Sequence, residues 1–191
     1  MKKYQIIYAD PPWEYFDKGV VQDNNRPLRD LPYKYMSIKD IYNLPINTIT
    51  QEDSVLFLWV NDSHLKEGIK LCEKWGFKFK VIAFVWEKLT KNGKLCANVG
   101  AWTMKNTEIC LLATKGAMYK YKNKHNIFQL VKAERTEHSK KPNQVRQNIE
   151  LLFGNLPRIE LFARQKTKGW TSIGYDIDGR DIKESLELLA R

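Results

Sequence analysis

The sequence predicts an α/β fold: a mostly parallel sheet with helices on both faces. Three observations carry that expectation. Short apolar runs bounded by turn residues alternate with segments whose apolar residues recur at helical spacing. The run at 54–60 is apolar almost without alternation, as in a strand covered on both faces. The length of 191 residues suits one domain spanning 1–191 with a substantial core.

The elements follow in order. Residues 5–9 read as a buried strand, stopped by Asp10-Pro11-Pro12. Residues 14–35 are polar and hold Gly19, Pro27 and Pro32, as expected of a long loop. Ser37 caps a short helix, with Asp40 reaching back, and Pro45 ends it. A strand at 54–60 leads to a helix capped by Asp62 or Ser63. Its Leu65, Ile69, Cys72 and Trp75 share one face, and Gly76 is the stop. A strand at 79–86, a turn at Lys91-Asn92-Gly93-Lys94 and strands at 107–113 and 126–131 come next. Pro142 opens a helix with Val145, Ile149 and Leu152 inward and Gly154 at its end. Strands at 158–163 and 170–173 and an amphipathic helix at 181–190 complete the chain.

Composition narrows the function. Hydrophobic residues are 43% of the chain, too many for a disordered one. No apolar run approaches the roughly twenty residues of a membrane-spanning helix, and the N-terminus lacks a signal-peptide core, so a cytoplasmic protein is expected. Cys72, Cys96 and Cys110 and His64, His125 and His138 lack metal-ligand spacing, so no metal is expected. The net charge is +10, and the stretch from Lys115 to Arg146 holds nine basic residues against Glu134 and Glu137. Tyr119, Tyr121 and Phe128 interleave with them. That pattern fits a groove for a nucleic-acid backbone, and equally a solvated lysine-rich loop.

The most informative loop follows the first strand, because ligands of such sheets bind outside the carboxyl ends of the strands. Pro11 and Pro12 donate no backbone hydrogen bond and have fixed φ, so the carbonyls around them are rigid acceptors. Asp10 adds a carboxylate and Trp13 a flat apolar face. Together they can accept both N–H groups of an exocyclic amine on a nucleobase while the ring stacks. The plainer reading is a proline loop whose Asp caps a neighbouring turn.

Several segments resemble, in order, the MT-A (70-kDa subunit) family of adenine N6-methyltransferases in its short bacterial and phage form. They are Tyr8-Ala9-Asp10-Pro11-Pro12-Trp13, Leu31-Pro32-Tyr33, Val55-Leu56-Phe57-Leu58-Trp59-Val60, Trp75-Gly76-Phe77, Thr107-Glu108-Ile109-Cys110-Leu111-Leu112-Ala113, Glu137-His138-Ser139-Lys140-Lys141-Pro142 and Arg158-Ile159-Glu160-Leu161-Phe162-Ala163-Arg164. The resemblance implies a Rossmann-like class I methyltransferase domain whose catalytic motif precedes the cofactor strand, a permuted order. It implies S-adenosylmethionine as cofactor and Asp10, Pro11, Pro12 and Trp13 as the catalytic loop. Asp10, Lys141, Glu160, Arg164, Tyr175 and Asp176 are then expected at the cofactor. Tyr33, Trp86, Trp102, Lys105, Glu108, Lys120, Lys122 and Lys124 are expected on the substrate side. Two departures stand out: Gly174-Tyr175-Asp176 lacks the family's Asn, and Met104 stands where relatives place Arg.

The expected reaction is direct methyl transfer to the N6 amino group of adenine in DNA. RNA is the alternative substrate, and a catalytically inactive nucleic-acid-binding subunit the alternative role. No separate reader of sequence fits into 191 residues. Target choice is therefore expected from the 14–35 and 115–136 loops or from a second subunit, in a homodimer or a heterodimer.

Overall fold

The computed structural model describes residues 2–13, 36–100, 102–136 and 140–191. The expected loop at 14–35, with Tyr33, and positions 137–139, with His138 and Ser139, lie outside the described residues. Seven strands, β1 (Tyr4–Ala9), β2 (Thr50–Val60), β3 (Lys78–Leu89), β4 (Thr107–Lys115), β5 (Leu130–Glu134), β6 (Arg158–Leu161) and β7 (Thr171–Ile173), form one sheet in the order β5-β3-β4-β2-β1-β6-β7. Every pairing is parallel except the two made by β4, which runs against β2 and β3. The cause is local: no helix separates β3 from β4, so the chain returns as a hairpin.

Among the described residues five helices accompany this sheet: α1 (Ile38–Tyr42), α2 (Leu65–Lys74), α3 (Asn143–Phe153), α4 (Tyr175–Asp178) and α5 (Ile182–Leu189). The two-residue period of a strand splits the apolar runs between two cores. Ile7, Ala9, Leu56, Leu58 and Val60 meet Ile41, Leu71, Cys72, Trp75 and Leu186 on one face. Ile6, Tyr8, Val55, Phe57 and Trp59 meet Met118, Val145, Ile149 and Phe153 on the other. This is why β1 and the end of β2 read as unbroken apolar runs: both faces of the strand are covered. The expected fold, a mostly parallel sheet with helices on both faces, is the one observed.

Two local expectations change. The helix following β2 is entered through Asn61, whose Oδ1 accepts the His64 amide at 3.0 Å, rather than through Asp62 or Ser63. A 3-10 turn at Asp62–His64 intervenes and displaces the cap by one residue. The strand expected at 126–131 begins only at Leu130 and runs to Glu134, because β5 is an edge strand with one covered side. Val131 is buried between exposed Leu130 and Lys132, and Lys132 reaches Glu87 at 3.0 Å, so its charged residues belong to the ladder. Ser37 does cap α1: its hydroxyl oxygen accepts the Asp40 amide at 3.1 Å and donates to the Asp40 carboxylate at 2.7 Å.

Gly68 lets α2 lie directly on the sheet, since a Cβ there would overlap Val60 Cγ1 and touch Leu111 Cδ1 at 3.4 Å. Alanine in a helix interior ordinarily gains about 1 kcal/mol over glycine, but overpacking a core costs about 1–3 kcal/mol. Gly68→Ala is therefore expected to lower unfolding free energy by about 1 kcal/mol in urea titration, against the sign of helix propensity.

Candidate active site

A cavity of about 1030 Å³ opens at the carboxyl ends of β1, β2 and β6. Asp10, Pro11, Pro12 and Trp13 follow β1; Trp59, Val60 and Asn61 come from the end of β2. Glu108 arrives from the start of β4, which lies at this end because β4 is reversed. Lys141 precedes α3, Phe162, Ala163 and Arg164 follow β6, and Tyr175 and Asp176 begin α4. Of the residues expected at the site, the structure thus brings Asp10, Pro11, Pro12, Trp13, Glu108, Lys141, Arg164, Tyr175 and Asp176 to one cavity.

The charged side chains alternate in sign across the cavity floor. Lys141 Nζ donates to Asp10 Oδ2 at 2.7 Å and lies 3.1 Å from Glu108 Oε2, while Lys88 Nζ holds Glu108 Oε1 at 2.6 Å. The Lys141 ammonium also sits over the Trp59 ring, 5.5 Å from its centroid. Burial alone would lower the Lys141 pKa, but the two carboxylates outweigh it and hold the ammonium above its ordinary value. Burial works against Glu108 too, and the two lysines override it, keeping that carboxyl below the ordinary range. At Asp10 burial wins: its carboxyl is pushed up despite Lys141, with Glu108 adding to the rise.

Trp13 is placed differently from the expected open stacking face. Its indole is buried, its Nε1 donates to the Trp59 carbonyl at 3.0 Å, and His64 stacks on it at 5.5 Å. The Pro11 carbonyl already accepts the Trp13 amide at 2.9 Å. The loop is therefore braced from within, and Trp13 is a wall of the cavity. Asn61 Oδ1 lies 2.7 Å from His64 Nδ1 and so fixes the stacked ring. Neither Asn61 nor His64 was among the expected site residues; a polar residue directly after a buried strand was the available signal.

Glu160 is absent from the cavity wall. It faces the α3 side, buried, and accepts from Arg146 Nε at 2.9 Å and Nη2 at 2.8 Å. The same guanidinium lies over the Tyr8 ring at 5.5 Å. Such a bidentate pair locks the start of α3, and with it Lys141, against β6. Arg146 was counted in the surface surplus. Its position three residues before Ile149, on the apolar stripe of α3, was the signal for a buried partner.

On the substrate side the outcome divides. Trp86 is buried and donates Nε1 to the Ala133 carbonyl at 3.0 Å, so it is core. Trp102 is 97% exposed in the β3–β4 connection, away from the cavity wall. Lys105 donates to Asp62 at 3.1 Å and Ser63 at 3.3 Å, beside the rim. Lys120 pairs with Asp53 near the start of β2, which places Lys120, Lys122 and Lys124 at the opposite end of the sheet. The 115–136 segment is therefore split between the two ends rather than gathered at the cavity.

Where β6 ends at the cavity the backbone is special. Phe162 has φ of 60°, rare for a bulky residue and worth about 1 kcal/mol or more of strain. Gly174 crosses it so closely that a Cβ would lie 2.5 Å from the Ala163 carbonyl oxygen. Only glycine permits that crossing, and it carries Tyr175 and Asp176 to the wall.

The mostly parallel sheet, with a charged cavity at its carboxyl edge, has the form of a Rossmann-like methyltransferase fold. The chain belongs to the MT-A70 family, whose description matches residues 4–176. It is 36% identical over 195 residues to the type II methyltransferase M.MunI of a Mycoplasma species, covering 95% of this chain and 81% of that protein. It is 28% identical to the N(6)-adenosine-methyltransferase MT-A70-like protein of Arabidopsis thaliana, over 96% of this chain and 25% of that one. It is 27% identical to the human N(6)-adenosine-methyltransferase catalytic subunit METTL3, over 93% of this chain and 29% of that one. The chain thus spans most of the first relative and under a third of the other two. Among the described residues no cluster of ligating side chains could hold a metal, and no helix is long and apolar enough to cross a membrane.

The electrostatic account predicts a pH signature for Glu108. With its folded pKa lowered, its ion pairs contribute stability that is present above about pH 4.3, the ordinary Glu value, and fades as pH falls through the lower folded value. Glu108→Gln is expected to cost about 1–2 kcal/mol at pH 7, with wild type and variant converging in acid, as read by denaturant titration across pH.

Proposed function

We propose that the protein transfers a methyl group from S-adenosylmethionine to the N6 amino group of adenine in DNA. The observation that carries this reading is the Asp10 carboxylate at the cavity floor, beside two prolines, with one oxygen held by Lys141. Support also comes from the family, and from similarity to a type II methyltransferase along most of its length.

The cavity suits the cofactor in size and chemistry: about 1030 Å³ exceeds what a nucleoside-sized ligand requires. Arg164 supplies a cation for a carboxylate, and Asp176 an acceptor for hydroxyl or ammonium groups. When bound, the cofactor supplies an electrophilic methyl on a sulfonium. The chain's part is to hold the amine. The Asp10 oxygen not engaged by Lys141 accepts one N–H, and a carbonyl of the Asp10-Pro11-Pro12 turn accepts the other. Conjugation makes the nitrogen a poor nucleophile, and these acceptors favour the tetrahedral geometry in which its lone pair is available. Once methylated, the amine would carry one proton too many, and the Asp10 carboxylate or water would take it. Lys141 keeps Asp10 aimed, and Trp13, with Trp59, walls off solvent. Most of the rate then comes from alignment and fixed electrostatics. Adenine within a duplex cannot reach this floor, so the target is flipped or single-stranded.

RNA is the alternative substrate, favoured by the N(6)-adenosine-methyltransferase names of the plant and human relatives. Matched DNA and RNA oligonucleotides, digested to nucleosides and analysed by mass spectrometry, separate the two: N6-methyldeoxyadenosine is the expected product. Asp10→Ala should lower kcat by about 10²–10³-fold while calorimetric cofactor binding persists. Normal turnover by that variant, or no cofactor binding by the wild type, overturns the reading.

A further inference from the structure

The cavity alone cannot hold a polyanion. Its wall carries Asp10, Asp40, Glu108, Asp176 and Asp181 against Lys141, Arg164 and Lys183. The 14–35 segment is neutral by sequence, with four acidic and four basic residues. Two of the cations once counted in the surplus, Lys141 and Arg146, are consumed by buried carboxylates. The surplus must lie elsewhere.

Much of it lies at the amino-terminal end of the parallel strands. Lys2 and Lys3 precede β1, Lys78 and Lys80 open β3, and Lys115 ends the reversed β4, all on this side. The segment 118–124 adds Lys120, Lys122 and Lys124. Among the described residues, only Lys120 of these three has a carboxylate partner, Asp53. The surface is continuous: the Ala117 amide donates to Asp53 Oδ1 at 2.7 Å, and Asn123 N donates to the Leu152 carbonyl at the end of α3 at 2.7 Å. Beside that helix end a concavity of about 420 Å³ is lined by Lys2, Asn155, Arg158 and Trp170. Tyr119 stands out of this surface, 77% exposed, with Lys122 Nζ over its ring at 5.7 Å. Lysines beside an exposed aromatic face are the parts that grip a phosphate backbone and stack a base.

We propose that this end of the sheet is a second nucleic-acid contact surface, which binds a segment of the substrate other than the one carrying the target adenine. It rests on the reading above only for the identity of the partner. β1 is six residues long, so the surface lies about 20 Å from Asp10, one strand length away. The path between them runs round the outside of the domain and exceeds that straight-line separation, so a 6-nucleotide strand, about 20 Å at 3.4 Å per nucleotide, occupies one surface at a time and a 30-nucleotide strand reaches both.

The test is fluorescence anisotropy of the full chain with 6- and 30-nucleotide DNA over a range of salt. Lys122→Glu with Lys124→Glu is expected to weaken 30-nucleotide binding about tenfold or more and reduce its salt slope by about two. The ratio of 30- to 6-nucleotide affinity should fall accordingly. Tyr119→Ala should weaken the long substrate with no change in slope. Lys66→Glu with Lys70→Glu, the same charge change on α2, should leave the ratio unaltered. Unchanged affinity and slope in the 122/124 variant, or an equal loss in the α2 control, overturns the proposal. So does polyglutamate competing as well as DNA of equal charge, which would assign the surface to an acidic protein. Because the readout is binding, it stands apart from methylation: a protein that never methylates adenine can still pass or fail it.

Discussion

One ammonium group organises the site. Lys141 lies between Asp10 and Glu108, and its desolvation is offset as both carboxylates and the Trp59 ring close around it. Each neighbour is fixed in turn by a different part of the fold. Asp10 directly follows β1, Glu108 lies at the start of the reversed β4, and Lys141 is held through α3 by the Arg146–Glu160 pair. A shift of any one of these elements would leave a charge unpaired in a poorly hydrated place. The network therefore couples sheet topology to the geometry of the Asp10-Pro11-Pro12-Trp13 loop.

The fold was legible because its signals are local and redundant. Apolar runs without alternation marked β1 and β2, and Pro142 and Gly154 bracketed α3. The Asp10-Pro11-Pro12-Trp13 loop was legible for the same reason, since two prolines end a ladder whatever surrounds them. What the sequence hid were pairings across long separations. The family resemblance implies a cofactor role for Glu160; the period-two alternation of β6 turns it to the other face, where Arg146 holds it. Trp13 looked available for stacking until the Trp59 carbonyl and His64 claimed it. Lys120, Lys122 and Lys124 are close in sequence to residues of the cavity end, yet β4 carries the chain down the whole sheet before they appear.

That reversal also shapes the electrostatics. The antiparallel β4 delivers Glu108 to the chemical end and Lys115 to the other, so one strand separates an acidic cavity from a basic far surface. Chemistry at a carboxylate and retention of a polyanion make opposite demands on local potential, and distance along a strand reconciles them. In a chain of this size the sheet itself serves as the spacer.

The central claim is that Lys141 sets both the position and the charge state of Asp10. Burial already pushes the Asp10 carboxyl upward, and Lys141 restrains that rise. The direct measurement is the pH profile of single-turnover methylation at saturating cofactor, compared between wild type and Lys141→Met. With an ionised Asp10 required, wild-type activity should fall in acid through a value above about 3.9, the ordinary Asp figure. In the variant that acid limb should move to higher pH. An identical limb in the two proteins would contradict the account.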